Sequence, residues 1–334
     1  MRSYCGIYVD AGYLLAAAST RLTGTSYRAA TEVDVAGLLQ AVTEQVTEHA
    51  GLPLLRVHWY DAGSRGVASA EQRRIATLPR VKLRLGRTSV HGEQKGVDLK
   101  LALDLITQAQ NRVTDIVYLL SGDDDLTEAV EEAQHLGTQV VLLVVPDNEG
   151  RPISISRNLQ MACDELMLID PKYLDRFVRR ATPGSVPAEG SVTPEVVTAA
   201  PPPAAEAAAK IAMNPAILAA RLEDRAPAIA PPKRLVTSVP VYSSSSGQSA
   251  GGNGIPAELD EDAIEAVVDA LLASWWRSAT PHAKQELLSG HPSIPQEMDR
   301  TLLRDLSSRL GIEELDSRTR FRLREVFWQK AQRL

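Results

Sequence analysis

From its start to about residue 180, the chain alternates between two rhythms of apolar positions. Short runs of β-branched and aromatic residues, at Tyr4 to Val9, Leu54 to Tyr60, Ile116 to Leu120 and Thr138 to Val145, have the length and composition of buried strands. Val81, Leu83 and Leu85 instead alternate with Lys82, Arg84 and Gly86, the period of a strand with one polar face. Between these runs, Leu14 to Leu22, Val35 to Val46, and the set Leu126, Ala129, Val130 and Ala133 follow helical spacing. Lys95-Gly96-Val97-Asp98 opens a further helix. Its Leu99, Leu101, Ala102, Leu103, Leu105 and Ile106 make most of the surface apolar, which predicts burial on more than one side. Leu159 to Asp170 reads as a helix end and a short last strand, and Pro171 to Arg180 as a closing helix. Strands alternating with helices predict an α/β domain over residues 1–180, a parallel sheet between two helix layers with right-handed crossovers.

Beyond it the pattern changes twice. Residues 181–254 shift to Ala, Pro, Ser and Gly, including Pro201-Pro202-Pro203 and Ser243-Ser244-Ser245-Ser246, and such a composition predicts a disordered linker. Within it, Ala204 to Leu222 has the alanine content of a transient helix. Residues 255–334 regain helical spacing at Asp262 to Trp276, Pro295 to Leu310 and Ser317 to Leu334, which predicts a small all-α C-terminal domain with Trp275 and Trp276 as core anchors. Arg318, Arg320, Arg322 and Arg324 start the last helix with a basic run, read as a solvated face or as a contact for RNA or an acidic protein partner.

Bulk charge changes this picture little. Against 42 acidic residues stand 36 basic ones, a net charge of −6, so a polyanion would have to be drawn by a local basic patch or by bound metal. Arg80, Lys82, Arg84 and Arg87 on the alternating strand, with Lys95 after it, are the candidate RNA contacts, and a solvated edge face explains the strand's basic side equally well. The 2 cysteines, Cys5 and Cys163, have no metal-ligand or redox spacing, which argues against a disulfide framework or zinc site and for a reducing, cytoplasmic setting. No apolar run reaches membrane-spanning length, and Met1-Arg2-Ser3 leads straight into a strand, so no membrane association or processing is expected.

The candidate chemistry lies at the strand ends. Val117-Tyr118-Leu119-Leu120 stops at Ser121-Gly122 and three carboxylates, Asp123, Asp124 and Asp125, before a helix; the first strand stops at Asp10. In open parallel sheets, ligands bind beyond these carboxyl ends. A lone Asp there would be read as a helix cap, and Asp98 in a helical first turn as dipole pairing, but adjacent carboxylates repel unless protons or a cation intervene. Asp104 follows Asp98 by six residues, which turns the side chain by about 240° to another face, so at most one of the two belongs to the site, and Asp98 is favoured. Asp10, Asp98, Asp123 and Asp125 are the candidate catalytic and metal-ligating residues. Hard oxygen ligands select Mg2+ or Mn2+, ions that activate water and stabilise in-line displacement at a phosphodiester. The chain has no phosphate loop with lysine, no zinc-protease helix motif and no serine elbow.

Tyr8-Val9-Asp10-Ala11-Gly12-Tyr13-Leu14, Lys95-Gly96-Val97-Asp98, Ser121-Gly122-Asp123-Asp124-Asp125-Leu126 and Gly137-Thr138-Gln139-Val140 together resemble the NYN domain, a branch of the PIN-like nucleases, over roughly Met1 to Arg180. The resemblance implies a PIN-like Rossmannoid three-layer sandwich, magnesium or manganese on Asp10, Asp98, Asp123 and Asp125, and ribonuclease activity on RNA. The chain departs from the pattern at Tyr13, where many relatives carry Asn, and at Leu126, where many carry an aromatic. A haloacid-dehalogenase-type phosphatase, whose late motif Gly122-Asp123-Asp124-Asp125 resembles, would need a second Asp where Gly12 stands. The reading from another class is a catalytically weak or inactive RNA-binding scaffold, with the C-terminal helices recruiting a protein partner on a tether. Tyr13 speaks for it and the four retained acids against it.

Overall fold

The computed structural model describes residues 3–64, 67–88, 94–182, 260–312 and 315–334. All but the first two residues of the expected linker, with its transient helix, lie outside these.

β1 (Cys5–Asp10) is the axis of the sheet, paired in parallel with β3 (Leu54–Ser64) on one side and with β6 (Ile116–Leu120) on the other. Outward from β3 lie β4 (Val81–Thr88), parallel, and the short antiparallel β5 (Gln94–Lys95); outward from β6 lie β7 (Gln139–Val144) and β8 (Glu165–Leu168), both parallel. This is the parallel sandwich that the alternation predicts. The side-chain alternation of a strand explains both helix layers. Ile7, Val9, Trp59, Leu120, Val141 and Leu143 face the layer of α1 (Ala11–Thr23), α2 (Val35–Ala50) and α7 (Pro171–Phe177). Tyr8, Tyr60, Leu119, Val140 and Leu142 face the layer of α4 (Val97–Gln110), α5 (Thr127–His135) and α6 (Arg157–Ala162). Strands covered on both faces have no polar side, hence the continuous apolar runs.

Several elements differ from expectation. α4 buries Val97, Leu101, Leu105 and Ala109 but leaves Leu99 62% and Leu103 54% exposed, so it is buried along one side, the side its four-residue spacing presents to the sheet. The closing helix stops at Phe177. Val178 turns inward and β9 (Val178–Arg180) pairs antiparallel with β2 (Thr31–Val33), an element too short to show a period in sequence. A short α3 (Ala70–Ala76), begun by a reciprocal cap between Ser69 and Gln72, lies between β3 and β4.

The C-terminal region is helical: α8 (Glu261–Ser278), α9 (Pro281–Ser289), α10 (Gln296–Leu310) and α11 (Ser317–Ala331). Ile264, Val268, Leu271, Leu302, Leu306, Leu323 and Phe327 form its core. Trp275 and Trp276 are half-buried, the latter beneath the Lys284 ammonium at 4.7 Å, and the buried aromatics are Phe327 and Trp328. The basic run staples helices and is no plain solvated face: Arg322 bonds Glu261 at 2.9 Å, and Arg324 clasps Asp299 through two bonds of 2.7 Å. This core also takes in Tyr27 and Ala30, which flank or end the 3-10 turn Arg28–Ala30 after α1. Asp305 on α10 accepts bonds from the Thr25 hydroxyl at 2.7 Å and the Ser26 amide at 3.1 Å. The described residues on both sides of 183–259 therefore form one compact unit, where the sequence suggests a module held on a tether. No described helix is long and apolar enough to cross a membrane.

Candidate active site

The register Val9↔Leu120 sets the ends of β1 and β6 side by side at the carboxyl edge of the sheet. Asp10 ends β1 and caps α1, its Oδ1 accepting the Gly12 amide at 2.8 Å. After β6 the chain passes Gly122 through a gap that admits no side chain. A Cβ there would lie 2.1 Å from the Ser154 carbonyl oxygen and 3.0 Å from the Tyr13 ring. The Gly122 carbonyl accepts the Ser156 amide at 3.0 Å, which ties the turn to the loop before α6. Asp123 caps the 3-10 turn Asp124–Leu126, its Oδ1 taking the Asp125 amide at 3.2 Å, so its capping role is real. Asp98 sits half-buried in the first turn of α4, which starts after Gly96 in the left-handed region at φ 78°.

Charge links the four acids. Burial, then the charge of Asp98, pushes the Asp10 carboxyl from 3.8 up to about 6, against the pull of the Tyr13 and Gly12 amides and the Arg28 guanidinium. Burial likewise raises Asp98, followed by the charges of Asp123 and Asp125. Acids from β1, α4 and the turn after β6 thus act on one another across one sheet edge. Asp124 stands apart, bonded to the Ser156 hydroxyl and, at 3.2 Å, to the Asn158 amide; these bonds hold its carboxyl below the usual range and fix the first turn of α6. Asp104 is also elsewhere, gripped by Arg84 at 2.7 and 2.8 Å and by the Tyr60 hydroxyl at 3.0 Å.

The basic strand does not converge on the acids. Arg84 is committed to Asp104, and Arg80 precedes β4 at the amino edge of the sheet, bonded to the Leu54 carbonyl at 3.3 Å. Lys82 is exposed and registers with His58, one same-face step before the Tyr60 level that Asp10 shares. The backbones of Arg87 and Lys95 pair, but their side chains lie outside the described part. The cation that does reach the site is one that sequence reading missed. Arg28 Nη2 and Asp10 Oδ1 each lie 3.0 Å from the point a Cβ on Gly12 would occupy. A single arginine between two helices carries no motif to flag it.

Tyr13, the residue that departs from the pattern beside Asp10, is a brace. Its hydroxyl donates to the Ile153 carbonyl at 3.0 Å and accepts the Val145 amide at 3.3 Å, while its ring closes on Gly122. On the far side of the acids an open groove of about 660 Å³ is lined by Asp124, Asp125, Glu128, Glu131, Asn158 and Met161, a wall that repels phosphate. Carboxylate oxygens suit a hard divalent ion, and one would relieve the repulsion that adds to burial in raising Asp10 and Asp98. As placed, no three His, Cys, Asp or Glu side chains among the described residues stand close enough to hold one.

Residues 5–170 match the family model for the NYN domain. The uncharacterized protein y4oD of Sinorhizobium fredii is 38% identical over 110 residues, 33% of this chain and 50% of that protein, so the match spans half the length of this curated relative. A crystal structure of a protein of unknown function from Vibrio parahaemolyticus aligns with 22% identity and a TM-score of 0.36, covering 53% of this chain and 97% of that one.

Proposed function

We propose, from the premise that this chain is an NYN domain protein over residues 5–170, that it is a metal-dependent ribonuclease. NYN domains belong to the PIN-like nucleases, a hydrolase class that acts on nucleic acids and generally uses divalent metal ions. The observation that carries the finer reading is the electrostatic linkage of Asp10, Asp98, Asp123 and Asp125, drawn from three elements to one edge of a parallel sheet. These four residues would hold Mg2+ or Mn2+. When bound, the ion supplies an activated water and stabilises charge developing on the attacking and leaving oxygens.

The chain's own residues prepare that edge. The Gly12 amide orients the Asp10 carboxylate, and Gly122 lets the chain pass between the Tyr13 ring and the Ser154 carbonyl just before Asp123. The Asp123 carboxylate in turn orders the amide of Asp125. The wide spacing of the acids favours a second reading, an RNA-binding protein without cleavage. One experiment separates them: labelled RNA and DNA are incubated with purified protein in Mg2+, Mn2+ or EDTA. Cleavage of RNA that EDTA stops, and that Asp123→Asn lowers by at least about 100-fold, is expected. Cleavage by Asp123→Asn at the wild-type rate would refute the site, and RNA binding with no cleavage in either metal would favour the second reading.

A further inference from the structure

Beside Asp10 the acid site meets basic residues, and all but Arg28 of them come from the far end of the chain. Asp305, through its bonds to Thr25 and Ser26, pins α10 against the segment that leads into the Arg28–Ala30 turn. Tyr27 and Ala30, on either side of Arg28, are buried in the helical core. Arg28 is thereby anchored on both sides, with its guanidinium beside Gly12 and Asp10. Arg304 precedes the pinning residue on α10. Its side chain is open to solvent yet crowded by protein; burial and then the charge of Arg28 hold it below the usual guanidinium range, while Asp305 and, after it, Asp10 act with the opposite sign. Arg300, one turn earlier on the same face, adds further positive charge. Neither the Arg28 nor the Arg304 guanidinium has a hydrogen-bond or ion-pair partner among the described residues. Two guanidiniums that act on each other's charge repel, and an anion bound to both removes that cost and uses their forked donors.

We propose that Arg28 and Arg304 clamp a backbone phosphate of the nucleic-acid strand, next to the phosphodiester that lies over the carboxylates, so that the C-terminal helices complete the substrate site. This rests on the nuclease reading above. The strand then runs over the Asp10 side of the site, away from Glu128 and Glu131. The C-terminal region contributes substrate binding directly, without supplying a carboxylate.

The test measures binding of a short fluorescent single-stranded RNA to the full chain in EDTA across a salt series, with cleavage kinetics in Mn2+ alongside. Arg28→Gln and Arg304→Gln should each weaken binding by roughly 5- to 30-fold at low salt and flatten the plot of log affinity against log salt by up to about 0.7. If both hold one phosphate, the double variant should lose little more than either single one. KM should rise while kcat changes less than about threefold. Arg304→Lys should recover part of the affinity, and Arg309→Gln, the same charge change later on the same helix, should leave it within about twofold. Wild-type affinity and salt slope in Arg304→Gln, or an equal loss in Arg309→Gln, overturns the clamp while the wild-type cleavage leaves the nuclease reading standing. Arginine-dependent binding with no cleavage by the wild-type protein does the reverse, and no binding at all removes both.

Discussion

Asp10 is a carboxylate that the fold makes hard to ionise. Its folded pKa of about 6 exceeds the ordinary 3.8, so the folded chain holds this proton more tightly than the unfolded chain. The resulting stability is fully present below pH 3.8 and is lost as pH rises through about 6. Metal-free protein should therefore lose stability across that window, by at most about 3 kcal/mol from this group. Asp10→Asn keeps an acceptor for the Gly12 amide and removes the charge, so it should flatten the fall in melting temperature; parallel curves for the two proteins would contradict the assignment. Tyr13 tests a different kind of residue. Tyr13→Phe strands the Ile153 carbonyl and the Val145 amide in the interior, and urea unfolding should show a loss of about 1–3 kcal/mol. An unchanged midpoint would mean that the hydroxyl braces nothing.

At the scale of the element, α4 carries two acids with separate tasks. Asp98, in the first turn, feels the charges of Asp123 and Asp125 and belongs to the proposed site, and Asp104, rotated away, fastens α4 to β3 and β4 through Tyr60 and Arg84. Asp104→Asn should cost roughly 1–2 kcal/mol of stability, since the pair is partly exposed, and leave cleavage within about twofold of wild type. Asp98→Asn should do the opposite and abolish cleavage with little loss of stability, because it relieves repulsion. Matched chemical denaturation and cleavage assays on the two variants decide this, and equal effects would show that the helix is one structural unit with no division of labour.

At the scale of the molecule, the helical region is fastened to the α/β part at a point close to the acids. Asp305→Ala removes the acceptor for the Thr25 hydroxyl and the Ser26 amide, a loss of about 1–3 kcal/mol. It should also weaken RNA binding in EDTA, although Asp305 carries a repelling negative charge, because α10 loses its register and Arg304 moves away from Arg28. Tighter RNA binding by Asp305→Ala would show that simple charge removal outweighs positioning.

The local patterns were readable. Apolar runs stopping at Asp10 and at Asp123 determined the parallel sandwich and the edge at which acids gather, because strand periodicity and turn chemistry act over a few residues. The 240° rotation between Asp98 and Asp104 was enough to place the two acids on different faces of α4. Residues whose environment depends on distant segments were not readable. The strand's basic face fitted a phosphate contact or a solvated edge equally, and only the fold shows Arg84 paired with Asp104 and Arg80 at the opposite edge. Leu99 and Leu103 looked buried until one face of α4 was seen to carry the packing. Arg28 and Arg304 act on each other's charge because Tyr27 and Ala30 enter the helical core and Asp305 meets Thr25. A meeting of charges between distant parts of the chain is set by packing in three dimensions, and no short-range period in the sequence records it.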